Sequence, residues 1–219
     1  MTNIYLIRHA QSEGNLAATL QGQLDSPLTE LGRAQATALG LRLAADRIQA
    51  VYSSPLVRAY HTAQAVAAPH RLKVSTHRGL MEINDGEAQG MSFEQIRERY
   101  GDIFSIIEET PQLFRGFKGG ESTLTALGRM AAAMREIAEA HSGQRIAVLS
   151  HGFVIRCFIC QLLCPGLEKL KEVPHGKNTA IWNLTYADGV FTVHSQADIS
   201  HLESSLLGWE WEPEAVSGG

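Results

Sequence analysis

RIAVLSHG, residues 145–152, decides how this chain is built. Its apolar run, Ile146 to Leu149, reads as a strand buried on both faces. It stops abruptly at Ser150 and His151, and a helix opens after Gly152. The same pattern occurs near the start of the chain. Ile4-Tyr5-Leu6-Ile7 is a short buried strand, and Arg8 and His9 follow with no turn residue between. It occurs again at Ala50-Val51-Tyr52-Ser53, which leads through Ser54-Pro55 to Arg58. In a parallel sheet the C-terminal ends of the strands lie on one edge, where α/β proteins keep their ligands. Two arginines and two histidines from three distant segments therefore converge: Arg8, His9, Arg58 and His151.

Between these strands the sequence predicts helices. One starts near Ser12 or Glu13. Thr29 caps a long one running through Ala45, with Leu31, Ala34, Ala38, Leu41 and Ala45 on one face. Pro55 suits the first turn of a helix reaching about Ala68. Ser92 with Gln95 resembles a capping box for a helix to Tyr100. Ser122 or Thr123 caps a helix to about Ala140. Lys73-Val74 reads as a short strand and residues 79–90 as loop. Ala180–Tyr186 and Val190–His194 form a hairpin across Ala187-Asp188-Gly189. The expected fold is α/β, a three-layer sandwich with a mostly parallel central sheet and helices on both faces. Residues 1–219 are expected to form one domain, with an irregular, lid-like segment at about 101–121 carrying Phe104, Phe114 and Phe117.

A net charge of −4 gives no general attraction to nucleic acid or anionic membranes, so any anion must be held by local basic residues. Met1-Thr2-Asn3 lacks the basic lead and apolar core of a signal peptide. No segment reaches the roughly 18 apolar residues needed to span a bilayer. Three closely spaced cysteines suit a reducing cytoplasm better than a disulfide framework. Cys157, Cys160 and Cys164 fall on one face of a helix and are read as core rather than as a metal site. A homodimer is a compatible assembly, the Trp209-Glu210-Trp211 tail being able to cover a neighbour or its own domain.

A pocket of two guanidiniums and two imidazoles in an acidic protein invites a phosphoryl group, because arginine's planar fork matches phosphate oxygens. Neighbouring positive charge keeps a histidine there neutral, and neutral imidazole is a nucleophile. LIRHAQSEGN, residues 6–15, resembles the signature of the histidine phosphatase superfamily, which includes cofactor-dependent phosphoglycerate mutases. Further blocks follow in the family's order: Leu28–Ala36, Ser53–Ala59, Leu80–Ile83, Gly119–Ser122 and Leu149–Gly152.

The resemblance implies a phosphoglycerate mutase-like fold and a role for each matching residue. His9 would take the phosphoryl group as phosphohistidine, and Glu82 would protonate the leaving oxygen and then help activate water. Arg8, Arg58 and His151 would hold the non-bridging oxygens. Ser12, Asn15, Gln21, Gly22 and Gly152 would line the phosphate site. No metal and no cofactor is implied, because the arginines supply the charge. Ala10 and Gln11 stand where the pattern has glycine and glutamate. The expected reaction is hydrolysis of a small phosphorylated metabolite. A phosphoglycerate mutase is the first rival and a non-catalytic binding module the second. The span Ile83–Lys118 is short for a mutase and has no adjacent basic pair.

Overall fold

The computed structural model describes residues 1–208. In chain order its elements are β1 (Thr2–Arg8), α1 (Glu13–Leu16), α2 (Glu30–Leu43), β2 (Ala50–Ser53), α3 (Val57–Ala67), β3 (Val74–Thr76), α4 (Phe93–Tyr100), α5 (Ile103–Glu109), α6 (Thr123–Ala140), β4 (Arg145–Ser150), α7 (Gly152–Leu163), β5 (Ile181–Ala187) and β6 (Val190–Asp198). The strands form one sheet of order β3-β2-β4-β1-β5-β6. β3, β2, β4 and β1 are mutually parallel. β5 runs antiparallel to β1, and β6 antiparallel to β5.

The unbroken apolar runs of β1 and β4 follow from burial on two sides. Successive strand side chains point to opposite faces. Ile4, Leu6, Ile146 and Val148 pack with Met130 and Met134 of α6 and Ile155 and Phe158 of α7. Ile7, Ala147 and Leu149 pack with Leu39 and Leu43 of α2 and Ala63 and Val66 of α3. The result is the expected three-layer sandwich, each buried aliphatic side chain contributing roughly 1.5–3 kcal/mol.

Several predicted helix starts have their caps in place. Thr29 Oγ1 accepts from Gly32 N at 2.9 Å, Ser92 and Gln95 form a capping box, and it is Ser122 that caps α6. Two neighbouring glycine-containing expectations also stand: the hairpin turns at Asp188-Gly189, both with positive φ, and α7 opens at Gly152.

Elsewhere the structure differs. α3 begins at Val57, after Pro55, because the carboxylate of Asp25 reaches across from another loop to accept from Val57 N at 2.9 Å. Residues 79–90 contain the end of one 3-10 turn, Arg78–Leu80, and a second at Gly86–Ala88. Residues 101–121 include the helix α5, although they read as irregular. Its Ile103, Phe104 and Ile107 pack on a third apolar cluster with Phe93, Phe114 and Phe117, a support that lies outside the segment's own spacing. Cys157 and Cys160 are buried core residues, but α7 ends at Leu163 and Cys164 leaves their face in an extended conformation. β6 runs four residues beyond the predicted His194, to Asp198. The Trp209-Glu210-Trp211 tail lies outside the described residues. Among the described residues no helix is long and apolar enough to cross a membrane.

Candidate active site

The parallel strands β1, β2 and β4 end at one edge of the sheet, and there the predicted residues meet. β1 delivers Arg8 and then His9. β2 delivers Ser54 and, in the first turn of α3, Arg58. β4 delivers His151 at the N-cap of α7. His9, Arg58 and His151 are almost completely buried. The His9 and His151 rings lie 5.1 Å apart, tilted by 58°.

Hydrogen bonds orient the His9 ring. Its Nδ1 lies 2.7 Å from the Ala10 carbonyl, a group that can only accept, so Nδ1 carries the proton. Nε2 then has a lone pair, and Arg58 Nε–H donates to it at 3.3 Å. Burial is the first cause holding the His9 imidazolium well below its usual range, with the charges of Arg58 and Arg8 adding to it. His9 is thus a neutral imidazole whose Nε2 lone pair faces a guanidinium. The Arg58 fork also donates to the carbonyls of Leu24 at 2.8 Å and Gly22 at 2.7 Å. Burial lowers its pKa to about 10, which leaves it charged at neutral pH. Gly22 has φ +50°, and a side chain there would strike Gln89.

Arg8 Nη1 donates to the Gly176 carbonyl at 2.6 Å. A β-carbon at Gly152 would lie 3.3 Å from Arg8 Nε, so the missing side chain gives Arg8 its room. His151 Nε2 is 2.8 Å from Ser54 Oγ. Burial and then the charge of Arg58 depress the His151 pKa well below the ordinary value.

Glu82 comes from the loop after β3. Its oxygens accept from the backbone N–H of Ile83 at 3.0 Å, Phe153 at 3.1 Å and Val154 at 3.1 Å, the latter two in the first turn of α7. Arg129 on α6 anchors this loop from behind. It donates to the carbonyls of Gly79, Met81 and Glu82 and pairs with Glu121 at 2.8 Å.

These groups floor a cavity of about 590 Å³, with Arg8, His9, Asn15, Gln21, Gly22, Arg58, Glu82 and Gly152 in its lining. Ser12 is not among them, which corrects the expectation that it touches the phosphate. It is fully buried, with Oγ 3.0 Å from Asn15 Oδ1 and 2.8 Å from Gln21 Oε1, so it orients two residues that do line the site. His151, expected to hold a non-bridging oxygen with Arg8 and Arg58, is fully buried and also lies behind the lining, its ring against His9. The lining also carries five phenylalanines, Phe93, Phe104, Phe114, Phe117 and Phe153, and two further basic residues, His175 and Lys177. Phe104 and Glu108 belong to α5, and Glu108 pairs at 2.5 Å with the buried Arg156 of α7.

Sequence reasoning missed Asn178, whose Nδ2 donates to the His9 carbonyl at 3.0 Å. It missed Thr62 too, whose hydroxyl accepts from Ala10 N at 3.0 Å, as well as Arg129, Asp85 and the phenylalanine wall as a set. Only the sequence HGKN before β5, polar residues ahead of a buried strand, carried a signal for Asn178.

A family model described as the histidine phosphatase superfamily (branch 1) matches residues 4–199. Phosphoserine phosphatase 1 of Hydrogenobacter thermophilus is 36% identical over 169 residues, 77% of this chain and 80% of that protein. Phosphoglycerate mutase-like protein 4 of Arabidopsis thaliana is 32% identical, over 92% of this chain and 87% of that one. Among solved structures, Bacillus stearothermophilus YhfR superposes with a TM-score of 0.87 at 30% identity, covering 93% of this chain and all of the other.

Proposed function

The chain belongs to the histidine phosphatase superfamily, and from that premise we propose that it hydrolyses phosphomonoesters by transfer to His9 and then to water. His9 Nε2 attacks phosphorus, and the bond from phosphorus to the ester oxygen breaks. A proton reaches that oxygen through Glu82, so the product leaves as an alcohol. Water then attacks phosphorus, the phosphorus–nitrogen bond breaks, and Glu82 takes up the water's proton. Arg8 and Arg58 bind the non-bridging oxygens, where negative charge must be stabilised in both steps, and Asn15, Gln21 and the Gly22 and Gly152 backbones shape the same end of the cavity. His151 acts from behind, holding His9 in place through ring contact. Arginine charge takes the part a metal would otherwise play.

The observation that carries this reading is the His9 ring, with Nδ1–H tied to Ala10 and the Nε2 lone pair turned to Arg58. The test is chemical trapping. Wild-type protein quenched during turnover should carry acid-labile, base-stable phosphate, and His9→Ala should carry none. Label retained on the variant would dismiss the mechanism.

The substrate is a small phosphorylated metabolite, and O-phosphoserine and 3-phosphoglycerate head the panel to test. Hydrolysis rather than mutase transfer is favoured by the rest of the lining, which has five phenylalanines and, beyond Arg8 and Arg58, no further arginine, Lys177 and His175 being its other basic members. The short Ile83–Lys118 span points the same way. Segment 101–121, with α5, serves as the roof over the substrate. We assign the enzyme to the cytoplasm, working apart from nucleic acid and membrane, with a homodimer as an assembly to be checked by sedimentation.

A further inference from the structure

Glu82 is not the only carboxyl in the cavity. Asp85, three residues on, also lines it. Its side chain is 4% exposed, and its Oδ2 has no hydrogen-bond partner among the described residues. The usual work of an aspartate at this position is to cap the following turn, here Gly86–Ala88, but Asp85 makes no such bond. Asn84 does it instead, accepting from Gly86 N at 2.9 Å. The two carboxyls therefore have opposite surroundings. Three backbone donors aim at Glu82, and none aims at Asp85. A buried carboxylate without donors loses several kcal/mol of hydration with nothing in return, and a proton on the oxygen removes that cost.

We propose that Asp85 stores the proton of the acid step, sharing it with Glu82 so that one proton serves the pair throughout the cycle. The inference rests on the phosphohistidine reading above. No hydrogen bond joins the two side chains among the described residues, so the proton travels between them by way of water in the cavity both line: in the first half-reaction it moves from Asp85 to Glu82 and on to the departing ester oxygen as the bond to phosphorus breaks. In the second, the attacking water's proton returns through Glu82 to Asp85 while phosphate leaves His9. No proton is gained or lost over the cycle. Asp85 acts through Glu82 and is a positioning residue for the proton, not a ligand of the substrate.

The charges facing Asp85 agree with a stored proton. Glu82 on its own loop and Glu121 from the segment before α6 are both negative, and Arg129 on α6 is engaged by Glu121. Across the cavity floor His9 is neutral and Arg58 is held by His9, Leu24 and Gly22. Burial first, then Glu82 and Glu121, raises the Asp85 pKa well above the carboxylate range. The stored proton is present below that raised value and is lost as pH climbs through it.

Asp85→Asn keeps the shape and removes the transferable proton. Formation of phosphohistidine in a single turnover should slow about ten- to a hundredfold at neutral pH with an alkyl phosphate such as phosphoserine. With 4-nitrophenyl phosphate, whose leaving group needs no proton, it should change less than about twofold. The alkaline limb of the alkyl ester's phosphorylation rate should move to lower pH. Equal losses for both esters, or an unmoved alkaline limb, would overturn the proposal. A wild type that forms no phosphohistidine would instead remove the reading beneath it. Should the variant fail to fold, infrared spectroscopy of wild-type protein labelled with ¹³C-aspartate decides the matter. A protonated carboxyl band from aspartate at neutral pH is expected, and its absence overturns the proposal.

Discussion

The floor of the cavity and its roof are held by different physics. The floor is made of strand ends and helix starts that cannot shift without disturbing the sheet. His9 is 3% exposed, Arg58 1% and His151 0%. Each is fixed by bonds to backbone or to a buried hydroxyl. The segment proposed as the roof holds α5, a short helix with no fully buried residue. Its ties to the rest include an edge-on contact between Phe93 and Phe104 at 5.6 Å, apolar packing, the ion pair from Glu108 to Arg156, and a 3.5 Å approach of His175 to Glu108. Groups that make and break bonds need fixed geometry, and rigid elements supply it. Groups that admit a substrate and release a product need to open, and weakly packed elements open most readily.

The largest effect should come from the centre of the floor. His9→Ala removes the atom that accepts phosphorus, and kcat should fall by more than about 10⁴-fold with the fold unchanged by circular dichroism. Residual activity within tenfold of wild type would put the nucleophile elsewhere, as roughly one 1.4 kcal/mol step is too little for it. The wild-type pH profile gives a second reading of the same residue. His9 reacts as neutral imidazole and its folded-state pKa is depressed. Activity owed to it should therefore persist below the ordinary histidine value and fail only at lower pH. Stability carries the same sign. His9 and His151 are neutral when folded and take up protons when unfolded below about pH 6.5, so thermal stability should decline as pH falls through that region.

Next in size is Arg58→Lys. The charge survives, but the three donors of an ammonium leave one nitrogen and cannot span Nε2 of His9 and the two carbonyls, which the fork meets from three separate nitrogens. Loss of one such donor to the transferring group is worth about 10²–10³-fold in kcat. A lysine variant within a few-fold of wild type in steady-state assays would mean that charge alone matters here, and that the floor is less finely held than its burial implies.

The two regions were also unequally legible in the sequence. The floor could be read because strand-end positions are local facts: an apolar run, then Arg8-His9, Ser53-Ser54 or Ser150-His151. A parallel sheet converts those local facts into one site. Ser12 was placed in the site by the family pattern, and only the fold reveals that it holds Asn15 and Gln21 from behind. Asp85 was invisible because its oddity is the absence of a donor, a property of what surrounds it. The roof was misread for a related reason. Residues 103–109 contain Ile103, Phe104, Ile106 and Ile107, too short a run to reveal a helix by spacing. Their helix is stabilised by Phe93, Phe114 and Phe117, which arrive from both sides of the chain.

The smallest effect should come from the roof, and its form matters more than its size. Glu108→Gln removes the charge that answers Arg156, a side chain 2% exposed that also donates to the Val173 carbonyl at 2.8 Å. Breaking a fully buried pair costs about 3–5 kcal/mol, but Glu108 is 22% exposed, and water at its side lowers the expected loss to about 1–2 kcal/mol. That cost falls on the position of α5 seen here, where Phe104 and Glu108 line the cavity. Departures of α5 from it should therefore become more populated. KM should rise by about three- to tenfold while phosphohistidine formation from saturating substrate stays within about twofold, since no floor contact is altered. A parallel fall in the single-turnover rate would mean that α5 helps to hold Arg8 or Glu82, and the separation between a fixed floor and a yielding roof would not stand. A change confined to KM would place substrate admission, and with it the choice among phosphorylated metabolites, on the roof.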